Sequence, residues 1–450
     1  MKRNKNAANP GILPALRRTA AYLKKSLPLI IVALVLAMLG TALTIVGPGQ
    51  IGKIAALISD GLGGTIDLAA VARIGVLLVA VYALSALCTF LQHYLMADVT
   101  LKMSYQMRAE LSRKINVVPQ KYFNFHAQGD ILSRITNDVS TLQQGLTNAL
   151  PTVISAGTQF VGCVVMMLLT EWRLALAALG VTLVGLIAAG VVMLRSQKYF
   201  AARQTALGEL GGYIEEMYSG HTVVRLSRAE APVGAAFDKL NAAVYDANWR
   251  SQFLSGIMQP MITVVSNVAY VAVCVLGAAM ALAGTIGFDV IVSFILYVRL
   301  VTTPLGQIAQ GLTNLQTASA SAHRIFEFLQ TEELPDEEKL PEKANLGRGA
   351  VSFRHVQFRY PDAPDKPIIR DFSAEVQPGQ KVAIVGPTGA GKTTMVNLLM
   401  RFYDLTGGEI LIDGENLADI PRHQVHSLFG MVLQDTWLFE GTIRENLVYN

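Results

Sequence analysis

Six runs of 20 or more mostly apolar residues occupy the first 310 positions of the chain, at approximately 28–48, 73–96, 147–170, 173–194, 260–283 and 288–309. A helix needs roughly 20 residues to cross about 30 Å of hydrocarbon, so each run is long enough to span a bilayer. A soluble helical core imitates one such run, not six. The spacing between them is uneven. Runs three and four are separated only by Glu171, Trp172 and Arg173, and runs five and six by a short stretch around Gly284 to Phe288. Both pairs read as tight hairpins. About 50 residues separate runs two and three and about 65 separate runs four and five, and both stretches turn polar while keeping a helical period. These predict helical stalks that project beyond the bilayer.

Past the sixth run the pattern changes. Residues 331–349 (TEELPDEEKLPEKANLGRG) are charged, interrupted by proline and glycine, and without apolar period, which predicts a linker. Strand-like runs follow at 351–358 (VSFRHVQF), 381–386 (KVAIVG) and 409–414 (EILIDG). The expected organisation is an N-terminal segment over 1–27, a six-helix membrane domain over 28–330, the linker over 331–349, and an α/β domain over 350–450 in which GPTGAGKTT (386–394) has the pattern of a P-loop NTPase. Within the first segment, 12–25 (ILPALRRTAAYLKK) suits a short helix lying along the membrane surface.

Composition agrees with a membrane chain: 52% hydrophobic and only 16% charged residues, with a mean hydropathy of +0.40. Cys88, Cys163 and Cys274 lie far apart in apolar stretches and read as small buried hydrophobes, not as a metal or redox site. The net charge of +4 is informative through its distribution. The long connections carry Lys102, Arg108, Arg113, Lys114, Lys121 and Arg134, then Arg195, Lys198, Arg203, Arg225, Arg228, Lys239 and Arg250, whereas the opposite side offers little beyond Lys53 and Arg173. By the positive-inside rule the stalks, the N-terminus and the nucleotide-binding domain face the cytoplasm across the cell membrane. The basic surplus then faces anionic lipid, and no nucleic-acid module accompanies it.

The strongest chemical signal is GPTGAGKTT over 386–394, set between the run KVAIV and the helix-like MVNLLMRFY. It matches G-x-x-x-x-G-K-[ST] in the required strand, loop and helix order. Gly386, Gly389 and Gly391, with Pro387, Thr388 and Ala390 between them, let backbone amides curl around phosphate oxygens. Lys392 reaches the outer phosphates of ATP, Thr393 suits a magnesium ligand, and Thr394 a further phosphate contact. Tyr360 either stacks on adenine or packs as an edge aromatic. Gln434 either touches the magnesium ion and positions water or is an ordinary polar residue at a strand end. In the sixth run Arg299, Thr302, Thr303 and Gln307 are cavity candidates, and Arg299 equally suits an interior ion pair. His93 reads as a satisfied structural histidine, and Pro260 and Pro304 as kink sites. Tyr122, Phe123 and Phe125 at the tip of the first stalk, and Tyr218 with Gly220 at the second, are aromatics in a watery place and call for a docking surface.

Taken together, GPGQIGKI, KYFNFHAQGDILSRITNDV, SGHTVVRL, SAHRIFEFLQ, FRYP, GPTGAGKTT, GEILIDG and MVLQDTWLFEGTIRENL resemble one half of an ATP-binding-cassette (ABC) exporter, of the multidrug or lipid type, over nearly the whole chain. The resemblance implies that Tyr360 is the adenine-stacking residue, that Gln434 is the Q-loop glutamine, and that 121–130 and 218–226 are coupling helices. It implies ATP and Mg2+ as cofactors and a second half-transporter, identical or different, as partner. The implied activity is ATP-driven export or flipping of a small amphipathic drug, lipid or peptide. The family's signature, Walker B aspartate, catalytic glutamate and switch histidine are not among these residues, so the chain is expected to be a truncated part of a longer protein and not hydrolysis-competent as written. The rival reading is a nucleotide-binding regulatory or interaction subunit without turnover. A peptide exporter with a leader protease is disfavoured, since no Cys-His pair precedes the first run.

Overall fold

The computed structural model describes residues 12–62, 64–337, 340–361, 363–432 and 437–448. It opens with helix α1 (Ile12–Leu23), a short 3-10 turn, and α2 (Leu27–Gly61). The membrane helices and stalks continue as α3 (Leu68–Val117), α4 (Gln120–Phe125), α5 (Gln128–Ser133), α6 (Val139–Thr170), α7 (Trp172–Ser219), α8 (His221–Leu226), α9 (Glu230–Leu282) and α10 (Phe288–Leu329). Six helices of this set are long and apolar enough to cross a membrane. The hairpins fall where the sequence places them, with one residue between α6 and α7 and five between α9 and α10. The stalks continue their spans without a break, because the polar stretches keep the helical period.

Contacts divide the chain into two units. The first comprises residues 1–105 and 140–323, the second 106–139 and 324–450.

The core of the first unit gathers Ile45 from α2, Cys163 and Met167 from α6, Leu174 and Ala178 from α7, Ala269 and Val273 from α9, and Phe294, Tyr297 and Val301 from α10. Outside that core the helices remain apolar: Val76, Leu169 and Val275 are exposed, as surfaces meeting lipid chains should be. Small residues and hydroxyls join the helices. A Cβ on Gly52 would lie 2.1 Å from Ser293 Oγ, so α2 and α10 approach more closely there than any other residue allows. Ser293 Oγ donates to the carbonyl of Pro48 at 3.2 Å, and Gln159 Nε2 donates to that of Leu300 at 3.1 Å. α9 and α10 run through Pro260 and Pro304 as continuous helices. Cys88 and Cys163 are buried and Cys274 half-buried. His93 is a correction: it lies exposed on α3, and its neighbour Gln92 is the buried polar residue, because one step around a helix turns a side chain by about 100°.

In the second unit, β1 (Val351–Arg359), β2 (Pro367–Val376), α11 (Lys392–Leu399), β3 (Gly407–Ile412), β4 (Glu415–Asn416), α12 (Arg422–Leu428) and α13 (Ile443–Leu447) complete the chain. The sheet is antiparallel in the order β2-β1-β3-β4, and its buried face carries Phe353, Val356, Phe358, Ile410 and Ile412. The register of β1 shifts between Phe353 and Val356, where His355 takes a φ of +49°. That bulge lets Phe353 and Val356, three apart, face one core.

The run 381–386 forms no ladder among the described residues, contrary to the strand its composition predicts. Its side chains are exposed, Val385 by 86%. An unbroken apolar run becomes a strand when neighbours pair on both edges and layers cover both faces, and among the described residues no strand pairs with it.

Asp413, at φ +53° in the turn between β3 and β4, ties the start of β1 to that turn. Its carboxylate accepts the amides of Gly347 at 2.7 Å and of Arg348 and Ala350 at 2.8 Å. Slight burial works against the charged form, but the backbone donors outweigh it and hold the carboxyl below the ordinary aspartate range. A depressed folded pKa contributes stability above the unfolded value of about 3.9 that is lost as pH falls through the folded value. Asp413→Asn is therefore expected to cost on the order of 2 kcal/mol near neutrality. In denaturant titrations of wild type and variant, that difference should shrink below pH ~4.

Candidate functional site

The glycine-rich loop sits between the exposed run 381–386 and α11. Gly389 and Gly391 have φ of +84° and +91°, the left-handed region that only glycine enters without strain. Ala390 between them donates its amide to Pro387 O at 3.2 Å. Such an alternation is the backbone pattern of an anion-binding concavity, and it leads directly into the N-terminal turn of α11. A Cβ at Gly391 would meet Ile368 Cγ2 of β2 at 3.1 Å, so the first sheet edge seats the loop.

The Lys392 ammonium bends back over this loop and donates to Gly386 O at 2.7 Å and Pro387 O at 2.9 Å. Its charge is thereby held at the mouth of the concavity, on carbonyls that phosphate oxygens can replace. Pro387, Thr388, Ala390 and Thr393 are exposed. Thr394 is 6% exposed, and its hydroxyl pairs with the Tyr360 hydroxyl at 2.9 Å. This pairing brings Tyr360, 34 residues upstream, to the head of α11. Gln434 lies outside the described residues.

The ring of Tyr360 is fixed from two further sides. It meets Phe358 edge-on at 4.9 Å and Tyr403 edge-on at 5.3 Å. Tyr403 in turn accepts a hydrogen bond from the side-chain amide of Asn124 in α4. A continuous set of contacts therefore runs from α4 through Tyr403 and Tyr360 to Thr394. Sequence reading had placed Tyr403 only within the run MVNLLMRFY. α11 ends at Leu399, so helical periodicity gave no reason to single it out. The aromatic Phe402-Tyr403 pair just past the helix was the available signal.

The stretch 121–130 falls on α4 and α5 and shares a unit with the sheet. Its aromatic residues find partners there: Tyr122 stacks on His126 at 4.0 Å and packs against Phe328 at 5.5 Å. Burial raises the Tyr122 hydroxyl above its usual range, with Arg134 opposing. The other stretch, 218–226, contains α8 and belongs to the first unit, with Tyr218 84% and Leu226 80% exposed.

Behind the first tip is a cluster of charges that the sequence did not suggest. After α5, residues Arg134–Asp138 form a wider turn of π type, a feature frequent at functional sites. There Arg134 donates to Asp130 at 3.1 Å, and Asp138 receives both arms of Arg324. Lys114 and Lys121 pair with Glu333 and Glu332 at 2.6 and 2.8 Å. The Lys121 ammonium lowers the Glu332 carboxyl.

Residues 30–305 match the transmembrane region of ABC transporters, and residues 369–449 match their ABC transporter domain. A fatty acid ABC transporter ATP-binding/permease protein of Mycobacterium bovis is 42% identical over 388 residues, covering 86% of this chain and 61% of the relative. The ABC transporter ATP-binding protein YfiC of Bacillus subtilis is 33% identical over 436 residues, 96% of this chain and 71% of the relative. An ATP-dependent lipid A-core flippase of Pseudomonas aeruginosa is 29% identical over 383 residues, 85% of this chain and 63% of the relative. The chain thus spans about three fifths of the length of the first of these relatives. Six membrane-spanning helices followed by a glycine-rich loop of this geometry, with these matches along both parts, place the chain in the ABC transporter family as a multi-pass membrane protein.

Proposed function

We propose that the protein is one half of a dimeric ABC exporter that uses ATP to export or flip an amphipathic substrate. The observation that carries this reading is the joining, in one polypeptide, of six apolar helices to a loop whose left-handed glycines and folded-back lysine suit phosphate. The relatives named for fatty acid and for lipid A-core handle amphiphiles, which supports the same class here.

In this reading Gly386 to Gly391 hold the phosphates through backbone amides, and Lys392 exchanges two carbonyl partners for phosphate oxygens. Tyr360, its ring held by Phe358 and Tyr403, offers a face to adenine. The Thr393 hydroxyl would be one ligand to magnesium, which takes one or two protein oxygens plus phosphates and water and would supply charge neutralisation at the phosphates when bound. Gln434 is the proposed second ligand. Two such chains, identical or different, would complete the assembly, with the N-terminus and nucleotide-binding part on the cytoplasmic side of the cell membrane, as the basic stalks favour. α4 and α5, together with α8, act as the coupling segments, and closure around ATP favours one cavity orientation by differential contact.

The test is substrate-stimulated, vanadate-sensitive ATPase of the full-length pair in proteoliposomes. Lys392→Ala is expected to lower turnover by about 100-fold or more, with loss of flux. Unchanged turnover and flux would remove the nucleotide-driven reading.

A further inference from the structure

Arg299 is the one charged side chain in the interior of the six apolar runs; Arg73, Arg173 and Asp289 lie at their ends. It sits eleven residues into α10, which begins at Phe288. At 1.5 Å per residue that is about 16 Å, the middle of a hydrocarbon layer of about 30 Å. A guanidinium at that depth requires a counter-charge or water. None of the six runs holds Asp or Glu away from its ends, so neither this chain nor a second copy supplies a carboxylate at that level. Arg299 is nonetheless exposed. On this chain the group is therefore left to water or to a counter-charge from outside the polypeptide.

What lies beside it narrows the choice. Thr302 and Gly306 follow Arg299 at i+3 and i+7, on the same face of α10. Both line a cavity of about 190 Å3 between α7, α9 and α10 whose other walls include Met193, Met258, Ile262 and Val265. That volume is below the roughly 300–1,000 Å3 of drug-sized sites, which favours a chain over a polycycle. Methionines on two of the walls adapt to a flexible aliphatic guest. A cation one helical turn from a small, mostly apolar cavity complements a molecule with an anionic head and an alkyl tail.

We propose that Arg299 is the head-group anchor for a long-chain carboxylate, with the first part of its tail in the α7/α9/α10 cavity. The proposal rests on the amphiphile-transport reading and makes it specific in charge. The guanidinium presents paired donors to the two carboxylate oxygens, and Thr302, Leu305 and Gly306 continue the contact along the tail.

The experiment measures binding to the full-length protein in zwitterionic nanodiscs, using a fluorescent C18 polyene carboxylate, its methyl ester and an alkylammonium of equal length. Arg299→Gln is expected to weaken the carboxylate about 10- to 100-fold, the range for a hydrogen bond to a charged group, and to leave the ester within about twofold. Arg299→Lys should keep most of the carboxylate affinity, and Arg299→Glu should shift preference to the alkylammonium. Gly306 lines the cavity and a Cβ there meets nothing within 4 Å, so Gly306→Leu directs its added bulk toward that space without a clash at Cβ. It should weaken carboxylate and ester alike.

Equal loss of carboxylate and ester in Arg299→Gln, or no loss of either, overturns the proposal. So does retention of the carboxylate together with Arg299-dependent retention of anionic phospholipid, which would make bilayer lipid the counter-charge. If wild type binds none of the three amphiphiles, this proposal falls, and the transport reading fails with it only if Lys392→Ala also leaves turnover and flux unchanged. If it binds all three irrespective of Arg299, that reading stands and this one falls.

Discussion

Replacing Glu337 by alanine is expected to destabilise the second unit by about 3–5 kcal/mol, the range for removing one partner from a buried ion pair. Glu337 lies in the linker and is 13% exposed, between Arg401 at 10% and Arg422 at 13%. Its carboxylate takes Arg401 Nη2 at 3.1 Å, the guanidinium of Arg422, and the backbone amide of Arg422 at 2.7 Å. Without it, two guanidinium groups would face each other in a half-dry site. Asp404, 75% exposed and 3.2 Å from Arg422, is too well solvated to replace it. The same competition shows in Arg401, whose guanidinium is pushed down first by burial and then by Arg422, with Glu337 opposing. Pairing Glu337→Ala with Arg401→Met is expected to restore part of the loss by removing the repulsion. Restoration stays partial because Arg401 also donates to the Ile420 carbonyl. Denaturant-dependent pulse proteolysis of the purified full-length protein, following cleavage within 331–349, reads both effects. A loss under 1 kcal/mol for the single variant would show the linker to be a tether and not a clamp.

The clamp also shows where sequence reading reaches and where it stops. The six spans were legible because a bilayer imposes a length that no local detail overrides, and the P-loop because its glycines perform a backbone task that other residues cannot. Residues 331–349 read as a linker because they are charged and aperiodic, and the described residues of the stretch form no helix or strand. What the charges do was hidden. Glu337 and Arg422 are 85 positions apart, and Asp138 and Arg324 186. No local pattern connects such pairs. β2 carried a usable signal, the alternation Phe372, Ala374, Val376, which the stronger glycine-loop motif nearby overshadowed. The run KVAIVG failed for a different reason: its composition describes a buried strand, but a strand is a relation between segments, and no ladder partner flanks it among the described residues. The Tyr360 contacts were half legible. Its position before a proline after β1 suggested a role at the nucleotide, whereas its bond to Thr394 and its support by Tyr403 and Asn124 required the fold.

Among the charges around the π turn, Arg324→Ala is expected to cost more than Asp138→Ala, about 2–4 against about 1 kcal/mol, although both delete the same ion pair. The asymmetry follows from burial. Asp138 is 5% exposed and Arg324 49%. Losing the arginine strands a carboxylate away from water, whereas losing the aspartate leaves a guanidinium that turns outward at little cost. The neighbouring Arg134, 7% exposed, already divides its donors between Asp130 at 3.1 Å and the Arg324 carbonyl at 3.4 Å, so its main chain and side-chain partners hold it in place. The double variant is expected to fall well short of the sum, because the stranded charge disappears with its partner. The consequence reaches beyond stability. Asp138 closes the π turn that connects α5 to α6, and Arg324 lies five residues before the end of α10, so the pair joins the first tip to the segment that leads into the linker. If this junction transmits movement, Arg324→Ala should lower substrate-stimulated ATPase more than basal ATPase in the full-length protein, while Arg324→Lys retains most of the stimulation. Equal destabilisation by the two single alanine variants, with basal and stimulated rates falling in parallel, would reduce the pair to a surface contact.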